Sequence, residues 1–380
     1  MKLFFNIIIY FFNSICFLTE TDKNIEVRIL IEKQKEKINL KTENKAIVTT
    51  SDFSEKYILI EDSEYEIKPF NDKILINDNL FNSPIIIETV KSLGYVIINK
   101  KRYNGKIKIK NSNNFLDVIE HIDLESYVIG VLGPEMGTTW PIEALKAQAV
   151  SARTYAIASI NKNYEYDLTN TIYHQVYKGH DIISPSIIAA VNQTKGEVLT
   201  YKGKIFFAYY HANSGGHTTS PSATWNNDVI PPLKGVKDPY YKYSSNASWS
   251  CYISNSDIIK FLTPYSSKKI SKIKDINIYS KDRSGRTVKL LILTNAGKFK
   301  IEISNIRNHF GTSLFKSTLI TKIEKLEKGF KFYGRGWGHG VGLSQDGAKV
   351  MANKGYNYKK ILQFYYPGSK ITKVDKLYDR

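Results

Sequence analysis

Cysteine is almost missing from this chain of 380 residues: Cys16 and Cys251 are the only two. Once a leader containing Cys16 is removed, no internal disulfide can form, and the fold must rest on a buried core, which a chain of this length can supply. No apolar run after residue 20 approaches the ~20 residues that carry a helix across a bilayer. There is no zinc-finger spacing, no basic heptad region and no aromatic-rich RNA-binding motif. The formal charge of +18 therefore does not mark a nucleic-acid protein. A cation of this kind, if exported, is drawn to anionic wall polymers or lipid headgroups by long-range attraction.

What the chain does have begins at its first residues. Lys2 is the only charge before Glu20, and the stretch between is mostly Leu, Phe, Ile and Tyr. This reads as a secretory signal over residues 1–19, with an uncleaved N-terminal anchor left open because no small-x-small cleavage site follows. Cys16 is a candidate for lipidation, for which Ile15 is a poor neighbour. The expected location is outside the cytoplasm: periplasm, cell wall or the outer face of the cytoplasmic membrane. Contact with the membrane is expected only through the N-terminal segment, if it is kept.

The pattern along the body predicts an α+β protein. Residues 24–118 alternate apolar and polar positions in short runs between Asn, Asp, Ser and Gly clusters, which predicts a β-rich N-terminal domain. From 119 to 246 the text turns helical, with a short helix near 123–132 and a long one near 141–160. The long one is so rich in Ala that it must be packed on several faces, a buried helix at the heart of a mixed core with glycine-rich loops. Another helix is expected near 185–194, then a hairpin turning at Lys202-Gly203. An α+β insertion follows over 247–328, and a second part of the core over 329–372, with helices near 343–353 and 358–366.

Three segments carry chemistry that a plain core does not need. In Gly133-Pro-Glu-Met-Gly-Thr-Thr-Trp-Pro141, Glu135 stands among Val131, Leu132, Met136 and Trp140. An apolar setting raises a carboxyl pKa and makes a proton donor. The helix starting at Pro141 pulls the other way, and the bland reading is a solvated loop glutamate. In His211-Ala-Asn-Ser-Gly-Gly-His217, His211 and Ser214 raise a Ser/His nucleophile, but there is no Gly-x-Ser-x-Gly elbow, and Gly215 and Gly216 also suit a plain tight turn. The third segment, Gly334-Arg-Gly-Trp-Gly-His-Gly-Val-Gly342, has glycine at every second position and fits neither a dinucleotide fingerprint nor a phosphate loop. If extended, it sets five glycines on one face and Trp337 and His339 on the other, bordering the groove of Glu135. The pairs His174/His180 and His211/His217 lack cysteine partners and any helical His-Glu motif, so no metal is expected.

Together these segments resemble the stage II sporulation protein D family, which includes amidase enhancers. The resemblance is carried by Leu124-Glu-Ser-Tyr-Val-Ile-Gly-Val131, by Pro134-Glu-Met136, and by the block from Trp140 through Ala-Gln-Ala-Val-Ser-Ala-Arg153 to Tyr155. It continues in Gln175-Val-Tyr-Lys-Gly179, Tyr210-His-Ala-Asn-Ser-Gly-Gly-His-Thr218, Gly336-Trp-Gly-His-Gly-Val-Gly-Leu-Ser-Gln-Asp-Gly-Ala348 and Ile361-Leu-Gln-Phe-Tyr-Tyr-Pro-Gly368. It implies a lytic transglycosylase acting on peptidoglycan strands stripped of stem peptides, with Glu135 as the acid that then turns base. Such a reaction needs one carboxyl group and no cofactor, unlike the two-carboxylate hydrolases. The matching segments hold the candidate substrate-binding residues Trp140, Arg153, Gln175, Tyr177, His211, Ser214, Gly215, Gly216, Trp337, His339 and Gln345. Some members bind zinc through Cys and His near the segment matching His174 to His180; no Cys stands there in this chain. The alternative implied is a wall protein that binds glycan and stimulates a partner cell-wall amidase.

Overall fold

Asparagine and lysine, abundant in this sequence, occupy several of the two-residue turns that join neighbouring strands. Asn99 and Lys100 (φ 48° and 71°) and Asn113 and Asn114 (φ 52° and 64°) all adopt left-handed backbone. Such pairs match the twist of the strands they join, here Val96–Ile98 to Lys101–Tyr103 and Lys106–Ser112 to Phe115–Asp123. The computed structural model describes residues 25–378 except 92–93, 172–173 and 226–229, so the segment 1–19 and Cys16 lie outside the described residues.

Two sheets form the N-terminal half. One has seven strands in the order Leu168–Thr169, Glu26–Lys35, Phe115–Asp123, Lys106–Ser112, Ile85–Thr89, Ala46–Thr50 and Lys56–Leu59. The other has six: Lys101–Tyr103, Val96–Ile98, Ile38–Thr42, Glu64–Phe70, Lys73–Ile76 and Asn79–Asn82. Their inward Ile, Leu and Val side chains share one cluster with the helices that follow. The boundary expected at 118/119 falls inside the strand Phe115–Asp123, which runs straight into the first helix with no linker.

That helix, α1 (Leu124–Met136), is capped by Asp123, whose Oδ1 accepts from the Ser126 amide at 3.0 Å. It packs on α2 (Ile142–Ser159) and α3 (Pro185–Gln193). Thirteen of the eighteen residues of α2 are buried, so the Ala-rich segment is an interior helix clad on all sides, as its composition requires. Ala and Ser let α1, α3, the strand Glu197–Tyr201 and the C-terminal helices Gln345–Asn353 and Tyr358–Tyr365 close on it.

The insertion has a core of its own, built around Leu262, Ile292, Phe315, Phe330 and Phe332. Its strands near 276, 288–293 and 298–303 are the sheet Ile273–Lys281, Thr287–Thr294 and Lys298–Glu302. The strand Gly329–Arg335, expected in the catalytic core, instead sits at the centre of the insertion's second sheet, between Ser248–Ser254 and Ile320–Leu326. Among the described residues no helix is long and apolar enough to cross a membrane.

Candidate active site

Glu135 is not on a loop. The Gly133-Pro134 pair does not end α1, and Glu135 lies in its last turn, with Gly137 (φ 81°) closing the helix. The carboxyl therefore sits at the negative end of a helix dipole, which opposes ionisation. Gly130 and Gly133 explain what lies against it. A Cβ at Gly130 would stand 2.4 Å from the Tyr177 ring, and one at Gly133 would stand 2.0 Å from the Ile182 carbonyl. The missing side chains let the segment 175–182 lie flat on the helix, and the Val176 amide thereby donates to Glu135 Oε1 at 2.8 Å.

Two distant strands bring the remaining partners. Tyr210–His211 and Leu343–Ser344 pair in parallel, setting Tyr210 beside the start of the helix Gln345–Asn353. The Tyr210 hydroxyl donates to Glu135 Oε1 at 3.4 Å, and Gln345 Nε2 donates to Oε2 at 3.3 Å. Behind Tyr210, Tyr127 donates to Gln175 Oε1 at 3.0 Å and Gln175 Nε2 donates to the Tyr210 hydroxyl at 2.9 Å. The result is a row of donors, Tyr127 to Gln175 to Tyr210 to Glu135. Burial raises the Glu135 pKa, and the bonds from Val176, Gln345 and Tyr210 only partly offset it. The residue still keeps partial exposure, as a group that must meet substrate requires. Among the described residues no acidic neighbour contributes to its shift.

The other expected contact residues divide. Trp140 is partly buried beyond Gly137, with Lys349 Nζ 4.7 Å from its ring centre, one helical turn after Gln345. Trp337 is 36% exposed, with Lys316 Nζ 4.5 Å from its ring centre. His339 lies against Trp225 and His211, at ring distances of 5.0 and 5.6 Å. Gly215 and Gly216 have φ of 72° and 118° and lie against the Arg335 carbonyl and the Tyr241 ring.

Several residues expected to touch substrate are instead interior, among them Gln175, enclosed by the bonds already described. Arg153 is fully buried, bonded to Glu125 at 2.6 Å and to the Glu197 carbonyl at 3.0 Å. Tyr177 donates to the buried Glu120 at 2.7 Å. Ser214 donates to Asp238 at 2.7 Å, and the His211 Nδ1 hydrogen goes to the Val341 carbonyl at 3.1 Å. Groups so enclosed hold the loops rather than a ligand, and Ser214 and His211 bond to different partners, as no Ser/His nucleophile would. His174 bonds to Thr169 and His180 to the Ser126 carbonyl.

The glycine ribbon is not a strand beyond Arg335. Gly336, Gly338, Gly340 and Gly342 all have left-handed backbone, with φ of 77°, 107°, 85° and 73°. Period two here marks alternating backbone conformation, which glycine alone adopts freely. Close approach adds to it: a Cβ at Gly342 would stand 1.9 Å from the Tyr209 carbonyl.

Sequence reasoning missed Tyr210, Tyr127 and the Val176 amide. The two tyrosines stand in segments already singled out, Tyr210 directly before His211, and only convergence in space reveals their part.

Comparison with known proteins adds to this geometry. Residues 112–201, which hold Glu135 and Gln175, match the family described as "Stage II sporulation protein", and residues 225–342 match a domain of unknown function (DUF8618). The chain is similar to an uncharacterized protein of Brachyspira hyodysenteriae, 34% identical across 78% of this chain and 79% of that one. It is similar to the stage II sporulation protein D of Bacillus subtilis, 30% identical across 68% of this chain and 76% of that one. It is also similar to an amidase enhancer of Bacillus subtilis, 31% identical across 64% of this chain, which spans only 40% of that longer relative.

Proposed function

The chain belongs to the stage II sporulation protein D family, and from that membership we propose that it is a peptidoglycan lytic transglycosylase with Glu135 as its acid and base. The observation that carries the reading is the setting of Glu135: a carboxyl with raised pKa, partly open to solvent, gripped by three neutral donors. Protonated, it gives its proton to the bridging glycosidic oxygen as the bond to C1 breaks. The carboxylate left behind accepts from Val176, Tyr210 and Gln345, then takes the proton of the same sugar's C6 hydroxyl. That oxygen closes on C1 to give a 1,6-anhydro end, and Glu135 is protonated again with no water consumed. A single acid suffices, and among the described residues no acidic neighbour acts on it.

The substrate in this reading is glycan strand freed of stem peptides, met outside the cytoplasm, where the chain's positive charge favours anionic wall polymers. Mass analysis of denuded strands after incubation with the purified protein tests it. Anhydro-ended products support the reading, and reducing ends carrying added water indicate a hydrolase instead. A second role, stimulation of a cell-wall amidase, has support in the similarity to the amidase enhancer. It is tested by amidase rates with and without the Glu135→Gln protein, which in this role stimulates as well as wild type.

A further inference from the structure

The insertion sends one arginine into the catalytic core. Arg286 closes the hairpin between the strands Ile273–Lys281 and Thr287–Thr294, and its side chain is only 2% exposed. Nη2 donates to the Ser214 carbonyl at 2.6 Å and to the His217 carbonyl at 3.4 Å. The guanidinium also presses on Gly340, where a Cβ would stand 2.4 Å from its central carbon. The hairpin is braced from within and without. Asp282 Oδ1 accepts from the amides of Ser284 and Arg286 at 2.8 and 2.9 Å, and its Oδ2 accepts from the Thr219 hydroxyl at 2.5 Å. The Thr219 amide in turn donates to the Gly340 carbonyl at 2.7 Å. One side chain thus touches both glycine segments, 211–217 and 334–342.

Packing alone does not account for an arginine here. Among the described residues Nε and Nη1 have no hydrogen-bond partner, Nη2 bonds only to carbonyls, and no carboxylate is bonded to the cation. Burial pulls its pKa down to about 10. Such a group is costly to bury, and an apolar side chain would fill the same space with less penalty. What an apolar side chain lacks is the grip on Ser214. The Ser214 amide donates to Ser344 Oγ at 3.2 Å, and Ser344 caps the helix whose first residue is Gln345. Gln345 reaches Glu135, and the strand paired with Leu343–Ser344 carries Tyr210 to it as well.

The geometry points to Arg286 as a positioning residue: by holding the Ser214 carbonyl and the Gly340 backbone, it fixes the two segments that present Tyr210 and Gln345 to Glu135. The insertion is then part of the catalytic unit rather than an accessory domain beside it. This rests on the reading of Glu135 as the acid.

The test uses Arg286→Met and Arg286→Lys in the full chain, with melting temperature, turnover, glycan affinity and the pH titration of an isotope-labelled Glu135 carboxyl, assigned by its loss in Glu135→Gln. Misplacement of a reacting group by about 1 Å costs ~10²-fold, so Arg286→Met is expected to lower kcat by about that factor with glycan affinity little changed. Arg286→Lys keeps the charge without the planar fork and restores only part of the rate. The Glu135 titration curve moves in the Met variant. A folded Met variant with unchanged kcat and an unchanged Glu135 titration overturns the proposal, whatever its melting temperature. If the Met variant does not fold, the Lys variant is judged by the same two quantities. If the wild type cleaves no glycan, the transglycosylase reading fails by itself, while an unmoved Glu135 titration in both variants still overturns the role of Arg286.

Discussion

The hydroxyl of Tyr210 stands 3.4 Å from Glu135 Oε1 and accepts a 2.9 Å hydrogen bond from Gln175 Nε2. It is thus polarised by an amide on one side and offers its own hydrogen to the carboxyl on the other. Each donor to Glu135 favours the ionised form and burial favours the neutral one; burial prevails. Glu135 therefore holds its proton higher on the pH scale than an ordinary glutamate, with support ready for the charge once the proton has left.

Replacing Tyr210 by Phe removes one donor to the ionised form, so the Glu135 pKa rises further. The alkaline limb of the pH–rate profile is expected to move to higher pH, and kcat/KM to fall about tenfold, the worth of ~1.4 kcal/mol. Gln175 Nε2 keeps only a 3.4 Å contact with the Ala152 carbonyl, and an unsatisfied buried donor costs ~1–3 kcal/mol of stability. A folded Tyr210→Phe protein whose alkaline limb stays in place would contradict the row of donors.

Glu135→Gln is expected to lose glycan cleavage by ~10²–10⁴-fold, the usual worth of general acid–base help. Its stability carries a second, signed expectation. Because the folded pKa is raised, the wild-type group contributes fully to stability below the ordinary glutamate value of ~4.3 and loses that contribution as pH rises through the raised value. The Gln variant has no such loss. It should melt higher than wild type at neutral pH, with the gap closing toward pH ~4. A gap of opposite sign, or one independent of pH, would mean that Glu135 is not strained by burial.

Arg153→Met addresses an interior ion pair. Arg153 holds Glu125 at 2.6 Å from within the core, and Glu125 also accepts from the Gly196 amide at 2.9 Å. Removing one partner of such a pair costs ~3–5 kcal/mol. Glu125 retains some exposure, so the lower end of that range is expected, read as a shift in the urea midpoint. Glycan affinity per folded molecule should be unchanged. Lost affinity with stability intact would return Arg153 to the binding surface.

Local chemistry was legible and convergence was not. The Lys202-Gly203 hairpin and the Ala-packed α2 follow from residue types within a few positions of one another. Glu135 was singled out by its apolar neighbours, yet its helical setting was hidden by Gly133-Pro134, a pair that ordinarily ends a helix but here lets the segment 175–182 lie against one. The ribbon's period of two fits both an extended strand and an alternating left-handed backbone. Only its contacts with the His211 segment decide between them, since Gly336 abuts the Asn213 carbonyl and Gly338 abuts His211. Gln345 and Tyr210 meet at Glu135 from 210 and 75 residues away, a distance over which no local pattern speaks.

The last prediction concerns the ribbon's exposed indole. The Trp337 backbone pairs with Asn213 in both directions at 2.9 Å, so the main chain is held without the side chain's help. The ring is 36% exposed, and Lys316 Nζ sits 4.5 Å from its centre. An indole so placed can stack on a sugar ring, whereas a fully buried one would cost ~3–5 kcal/mol of stability on truncation. Trp337→Ala is therefore expected to cost well under that amount and to weaken binding of denuded glycan. Its neighbour His339 is held neutral, its pKa pulled down to about 3 by burial. The imidazole adds no charge between pH ~5 and ~8, so the affinity lost on truncating Trp337 should be the same across that range. Melting temperature and glycan affinity, measured together at both ends of it, separate the outcomes. A large fall in melting temperature with unchanged affinity per folded molecule would make Trp337 a packing residue and remove it from the binding surface.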